Sequence, residues 1–344
     1  MYSINDIQLF ITTHNRADLI KETIESVLNQ TANVKEITVL DNESSDNTEE
    51  VVKSYADRGV KYIKTYGFLG NFNKAKEIAD REFVMLFHDD DILHPDYLRN
   101  ALNIINSEKN LSAVYTRYKK FIDDDSPKIF PKLEKSYHIF KTKKDFAKYM
   151  YFQEYVAYAS AIYRTAYFKK TDLEYEKYNK YNDWPFMLKF SGYGNIALFN
   201  DENTYYLRVH KNQDSNTLQN VPSLEQIVNW DKIFYDYMFE KEDKFLEKIY
   251  RMKSQYFIEG KFNLYAKYVN DGNYTLENLH KLASLKGLKP QIKTEPIYEK
   301  FDKFQQFAYL KNRNFKQIKQ TIKHCTIFML VFIIENLKMR IKNA

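Results

Sequence analysis

The chain contains a single cysteine, Cys325, among 344 residues. That excludes intramolecular disulfides and thiolate zinc clusters, and it fits a reducing compartment. The N-terminus, MYSINDIQLFITTHN, lacks the basic stretch and apolar core of a secretory signal, so the expected location is the cytoplasm. Near the C-terminus, CTIFMLVFII (325–334) is only ten residues long, too short for a hydrocarbon core that needs roughly 20. Excess positive charge is also scarce. A net charge of +6 is small for this length, which argues against a nucleic-acid binder with one strongly basic face. No internal repeat is apparent.

What is present is globular. With 44% hydrophobic and 28% charged residues, general disorder is not expected, and the length suits two domains. IQLFITT (7–13) is a short β-branched apolar run ending at polar residues, the pattern of a buried strand. Leu19, Ile20, Ile24, Val27 and Leu28 then follow at helical spacing over 17–30. EITVLD (36–41), VKYIKTY (60–66) and EFVMLFH (82–88) read as further strands, with helices from about Thr48, capped by Asp46, and over 70–80. This alternation predicts an α/β fold with a mostly parallel sheet and helices on both faces. Ligands bind such sheets at the carboxyl ends of the strands, where Thr12, His14, Asn15, Asp41 and Asp89 to Asp91 all fall.

Farther on, 112–122 alternates like one strand, 123–136 reads as a surface loop, 155–164 as a strand lining a cleft and 182–190 as a short helix. From about 222 the sequence turns helical. The expected division is therefore an α/β domain over 1–220 and a smaller all-α domain over 221–344. Basic residues flank 325–334, with Lys316, Lys319 and Lys323 before it and Lys338, Arg340 and Lys342 after. Segment 316–342 could lie on an anionic membrane surface or be an ordinary buried helix.

His88-Asp89-Asp90-Asp91 closes the strand 82–88. Adjacent carboxylates repel one another unless a cation shares them, and Mg²⁺ or Mn²⁺ takes oxygen ligands while binding substrate phosphates. Three Asp after a strand are also a common solvated turn, and Asp41 or Thr12 to Arg16 alone could be helix-start chemistry. Their joint placement at the strand ends favours a site.

FITTHNRADLIKETIESVLNQT, EITVLDNESSDNT, Gly70-Asn71-Phe72-Asn73 before a helix and EFVMLFHDDDILHPDYL resemble, in order, a family 2 glycosyltransferase of the GT-A fold. NDWPFMLKF and YYLRVHKNQDS extend the resemblance to about residue 215. His14 stands where the family usually has a Tyr, and His88 where many relatives have another Asp. The resemblance implies that Thr12 and His14 line the base pocket and that Asp41 bonds the base or its ribose. It further implies that Asp90 holds the ribose, Asn73 adjoins the nucleotide and Asp91 binds the metal. Arg208 and His210 resemble a loop over the diphosphate, with His210 a further metal ligand. Asp183, where the family carries an acidic base at a helix start, is the implied catalytic base; an ordinary N-cap is the alternative.

The function so implied is inverting transfer of a sugar from a nucleotide-diphosphate donor, UDP-sugar first, to a glycan, lipid-linked or protein-linked acceptor. Mn²⁺ or Mg²⁺ assists, and the helical C-terminal domain could mediate a homo-oligomer. A nucleotidyltransferase would need a glycine-rich basic loop after the first strand, and THNRAD offers none. A catalytically silent sugar-nucleotide binder and a membrane scaffold are the non-enzymatic alternatives.

Overall fold

A computed structural model describes residues 1–122, 125–153, 156–210 and 224–239, with the single positions 213, 247, 250 and 254. The chain opens with β1 (Ile7–Thr13), α1 (Ile20–Leu28), β2 (Ile37–Asn42), α2 (Thr48–Lys53), β3 (Val60–Thr65), α3 (Gly70–Ile78) and β4 (Phe83–His88). It continues with β5 (Ile92–Leu93), α4 (Tyr97–Ser107), β6 (Leu111–Thr116), β7 (Lys119–Ile122), β8 (Tyr137–Phe140) and α5 (Lys143–Gln153). Then come β9 (Ala157–Arg164), α6 (Thr165–Phe168), α7 (Tyr175–Tyr178), α8 (Asp183–Phe190), β10 (Asn195–Phe199), β11 (Tyr205–Val209) and α9 (Leu224–Met238).

Eight strands form one sheet in the order β3-β2-β1-β4-β9-β6-β10-β8. β1 to β4 are mutually parallel, and β9 and β8 run antiparallel to their neighbours. The sheet is thus mixed, with a parallel half where the apolar runs are most continuous. Strands covered on both faces read as near-continuous apolar sequence, and Phe10, Ile11, Val39, Leu40, Val84 and Met85 are all buried. α1 turns Ile20, Thr23, Ile24 and Val27 inward, the three-and-four spacing of one helix face. A smaller sheet, β5-β11-β7, stands beside the large one in sequence order but not in pairing.

The parallel half sets the site. From β1 the chain steps outward through β2 to β3, then returns to the other side of β1 as β4. Strand order reverses there, and the crevice at the carboxyl ends of β1 and β4 is where such sheets take ligands. Thr12 pairs with His88 across it.

Some expectations are corrected. The single strand over 112–122 is two strands in different sheets: fully buried β6 lies between β9 and β10, and β7 pairs with β11. Alternation of apolar residues could not reveal that the chain changes sheets at Arg117-Tyr118. Within the strand expected over 155–164, Ser160 is buried and shares a hydrogen bond with Thr116.

The chain forms two compact units. The first comprises Met1–Met150, Glu154–Leu173 and Phe186–Asn216 and holds every strand named above. The second takes Tyr151–Gln153, Glu174–Pro185 and the described residues after 217. In it α9 buries Ile227, Trp230, Phe234 and Met238. The Asp231 carboxylate beside them is also buried, and it accepts from the hydroxyls of Tyr151 (2.7 Å), Ser254 (2.7 Å) and Tyr250. Buried polar groups are kept where hydrogen bonds replace their water. The segment 316–342 lies outside the described residues.

Candidate active site

β4 delivers its last residue, His88, to the crevice, and Asp89 and Asp90 follow in a turn before β5. His88, Asp90 and Asp91 each present a ligand atom within 4.8 Å of the others. Asp89 instead serves the β1 side. The backbone N–H of His14 donates to it at 3.3 Å, and Arg16 Nε lies 4.0 Å away. Burial, followed by the charge of Asp90, pushes the Asp89 carboxyl up to about 7. Asp91 is 2% exposed; burial and then Asp90 raise its carboxyl well above the usual range. Its oxygens accept from the Tyr205 hydroxyl and, at 2.9 Å, from the Arg208 N–H.

These shifts share one physical origin. Packed carboxylates with little water favour losing negative charge, by taking a proton or by meeting a cation. Carboxylate oxygens with an imidazole beside them are a chemically fitting donor set for a divalent ion such as Mn²⁺ or Mg²⁺.

β11 brings His210 to the same place. Its Nε2 lies 2.9 Å from Asp90 Oδ2, although the two residues are 120 positions apart. Arg208 is 1% exposed. Its guanidinium bonds to the Asp90 carbonyl (2.8 Å) and to the carboxylate of Glu22, so the side chain that resemblance sets over the diphosphate lies in the interior of the fold.

On the other wall, Thr12 is half-buried in β1 and its hydroxyl donates to the Phe87 carbonyl at 3.4 Å. His14 is exposed. Its Nδ1 lies 2.6 Å from the Asn42 carbonyl, which can only accept, so the proton sits on Nδ1. Asp41 is fully buried and accepts from Ser44 and, at 2.8 Å, from the Tyr62 hydroxyl. Asn73 is exposed on α3. It is Asn71 that ties the strand ends together, donating to the Thr13 carbonyl (3.1 Å) and accepting from Thr65 (2.6 Å). A Cβ on Gly70 would come within 2.8 Å of Asn42 Oδ1, which explains the glycine at the start of α3.

Asp183 opens α8, half-buried, in the second compact unit. Sequence reasoning set His88 aside as a departure and gave Tyr205 no role. The apolar-to-polar break of EFVMLFH marked His88, but nothing local marked Tyr205.

Comparisons with known proteins agree with this layout. A sequence model described as glycosyl transferase family 2 matches residues 9–172. An uncharacterized glycosyltransferase of Rickettsia typhi is 28% identical over 218 residues, 62% of this chain and 67% of the relative. The chondroitin synthase of Pasteurella multocida is 29% identical over 124 residues, 35% of this chain and 13% of that one. Among solved structures, residues 1-349 of S. aureus TarS in complex with UDP-GlcNAc share the fold at TM-score 0.53 and 16% identity, covering 81% of this chain and 78% of that one. The family match runs from within β1 to beyond β9 and so contains the whole crevice between β1 and β4. Residues 9–172, just under half of the chain, match glycosyl transferase family 2, and the relatives that align with them include glycosyltransferases.

Proposed function

We propose that the chain transfers a sugar, with inversion, from a nucleoside-diphosphate donor to a hydroxyl of a glycan, lipid-linked or protein-linked acceptor. The observation that carries this is the group His88, Asp90 and Asp91 at the point where strand order reverses. TarS, which shares the fold, was solved with UDP-GlcNAc, and that supports a UDP-sugar as the first donor to try.

A divalent cation at this group would neutralise charge on the departing diphosphate, the Lewis-acid role. His88 and Asp90 are its principal holders in this reading. Asp90 is half-buried and His210 stands beside it. Asp91, given to the metal by resemblance, belongs to the same group, with its oxygens oriented by Tyr205 and Arg208. Asp41, Thr12 and His14 line the nucleoside side, with Asn73 at its rim. Asp183 takes the proton of the acceptor hydroxyl as that oxygen attacks the anomeric carbon. Holding donor and acceptor in line supplies much of the remaining rate. Among the described residues no helix is long and apolar enough to cross a membrane. A peripheral contact through 316–342 on the cytoplasmic face is part of the proposal.

Calorimetric titration of UDP, with and without Mn²⁺, into the wild type and Asp90→Ala tests the reading. Mn²⁺-dependent binding that the substitution abolishes is the expected result. If UDP, dTDP, GDP and CDP all fail to bind the wild type, the donor-site reading is wrong.

A further inference from the structure

Arg208 is the bulkiest side chain among the fully buried residues described, at 1% exposed. Its partners come from four separate parts of the chain. The backbone N–H donates to Asp91 Oδ1 at 2.9 Å, and side-chain Nε donates to the Asp90 carbonyl at 2.8 Å. A terminal nitrogen bonds to Glu22 on α1, 186 residues away, and approaches Ser126 Oγ at 3.4 Å. The guanidinium plane covers the Phe121 ring of β7, 4.7 Å from its centre. At this burial no diphosphate oxygen reaches the guanidinium without displacing one of these groups.

We propose that Arg208 is a positioning residue that sets the metal-binding turn, with Glu22 as the counter-charge that makes its burial compatible with a cation site. The inference rests on the donor-site reading above. Bonding the Asp90 carbonyl fixes the peptide plane joining Asp90 to Asp91, and hence the directions in which the two carboxylates leave the backbone. The N–H of the same residue holds the second carboxylate. A planar guanidinium, always charged and with donors in a fixed fork, suits this work better than a flexible ammonium. Its charge alone would repel a divalent ion nearby. Glu22, whose side chain is 51% exposed, pairs with that charge, and Ser126 bonds both Glu22 and the guanidinium.

A direct phosphate contact and a positioning role predict opposite signs for one substitution. If Arg208 gripped the diphosphate, Glu22→Gln would free its charge and tighten UDP binding. If Arg208 positions the turn, Glu22→Gln loosens the guanidinium, leaves its charge uncompensated and weakens the metal site.

The test is Mn²⁺ titration followed by electron paramagnetic resonance on the full chain, as wild type, Glu22→Gln, Arg208→Lys and the double variant. Metal-free uridine binding serves as a check on the pocket. Each single substitution should weaken Mn²⁺ binding roughly 10- to 100-fold, the usual range for residues behind metal ligands. The double variant should lose little more than the worse single, because the two act through one linkage, and uridine affinity should stay unchanged. Unaltered Mn²⁺ affinity in Glu22→Gln, tighter UDP binding, additive losses or a parallel loss of uridine binding would each overturn the positioning role. A wild type that binds Mn²⁺ and UDP normally confines such a failure to this proposal. A wild type that binds neither overturns the donor-site reading and this role together.

Discussion

Replacing Tyr205 by Phe should weaken the protein more with Mn²⁺ present than without it. The ring itself is retained, including its edge contact with Phe87 at 6.1 Å between centroids. Only the hydroxyl that donates to Asp91 is removed, inside a site where Tyr205 and Asp91 are 1% and 2% exposed. Without a cation, burial and then the neighbouring Asp90 raise the Asp91 carboxyl well above its usual range and so oppose its charge. The lost bond then approaches one between neutral groups, at about 1 kcal/mol. With a cation bound, Asp91 is charged, and a hydrogen bond to a charged group contributes about 1.5–3 kcal/mol. The difference, about 0.5–2 kcal/mol, must appear as weaker cation binding, about two- to thirtyfold since 1.4 kcal/mol is a factor of ten. Denaturant unfolding with and without Mn²⁺, alongside a direct Mn²⁺ titration, reads both quantities. Equal destabilisation in the two conditions, with unchanged Mn²⁺ affinity, would refute the argument that a bound cation strengthens the Tyr205–Asp91 hydrogen bond.

Other outcomes follow from the same geometry. Asp183→Asn should lower kcat by roughly 10²- to 10⁴-fold, the usual contribution of a general base, while UDP affinity stays put; an unchanged kcat would return Asp183 to a helix cap. Gly70→Ala gains helix propensity of up to about 1 kcal/mol but drives a Cβ to within 2.8 Å of Asn42 Oδ1. Because the Asn42 carbonyl holds the His14 ring, nucleotide affinity should fall severalfold, and calorimetry that shows no change would contradict this. For Asp89, burial and then Asp90 push the folded carboxyl up to about 7 from its ordinary 3.8. The metal-free native state then keeps a proton that the unfolded chain releases, so this stabilisation is complete below about pH 4 and is lost as pH rises through about 7. At 1.36 kcal/mol per pKa unit, the contribution is at most about 4 kcal/mol. Unfolding at several pH values, with a chelator present, should show it, and Mn²⁺ should flatten the dependence.

Much of the parallel half of the sheet was legible because its signals are local. The runs ending at Thr13, Asp41 and His88 are apolar, β-branched and short, and the structure places β1, β2 and β4 within a residue or so of their expected limits. The strand-end rule then gathered the polar residues correctly at one edge. Legibility failed where the chain leaves that pattern. β8 and α5 gave no distinct period, and the alternation over 112–122 concealed a change of sheet.

The site divides in the same way. His88 to Asp91 were visible as a cluster because they are contiguous, and the sequence alone determined that packed carboxylates would need a cation or protons. Which carboxylate does what depended on β11. Its register sets Tyr205 opposite Leu93 and Arg208 opposite Phe121, turning the Tyr205 hydroxyl and the Arg208 N–H onto Asp91 and carrying His210 to Asp90. A shift of one residue would reverse every one of those side chains, and no local pattern fixes pairing across more than a hundred residues. The sequence determined the chemistry of the cluster; tertiary structure alone decided that Arg208 faces inward, because only strand pairing surrounds it with Glu22, Ser126 and Phe121.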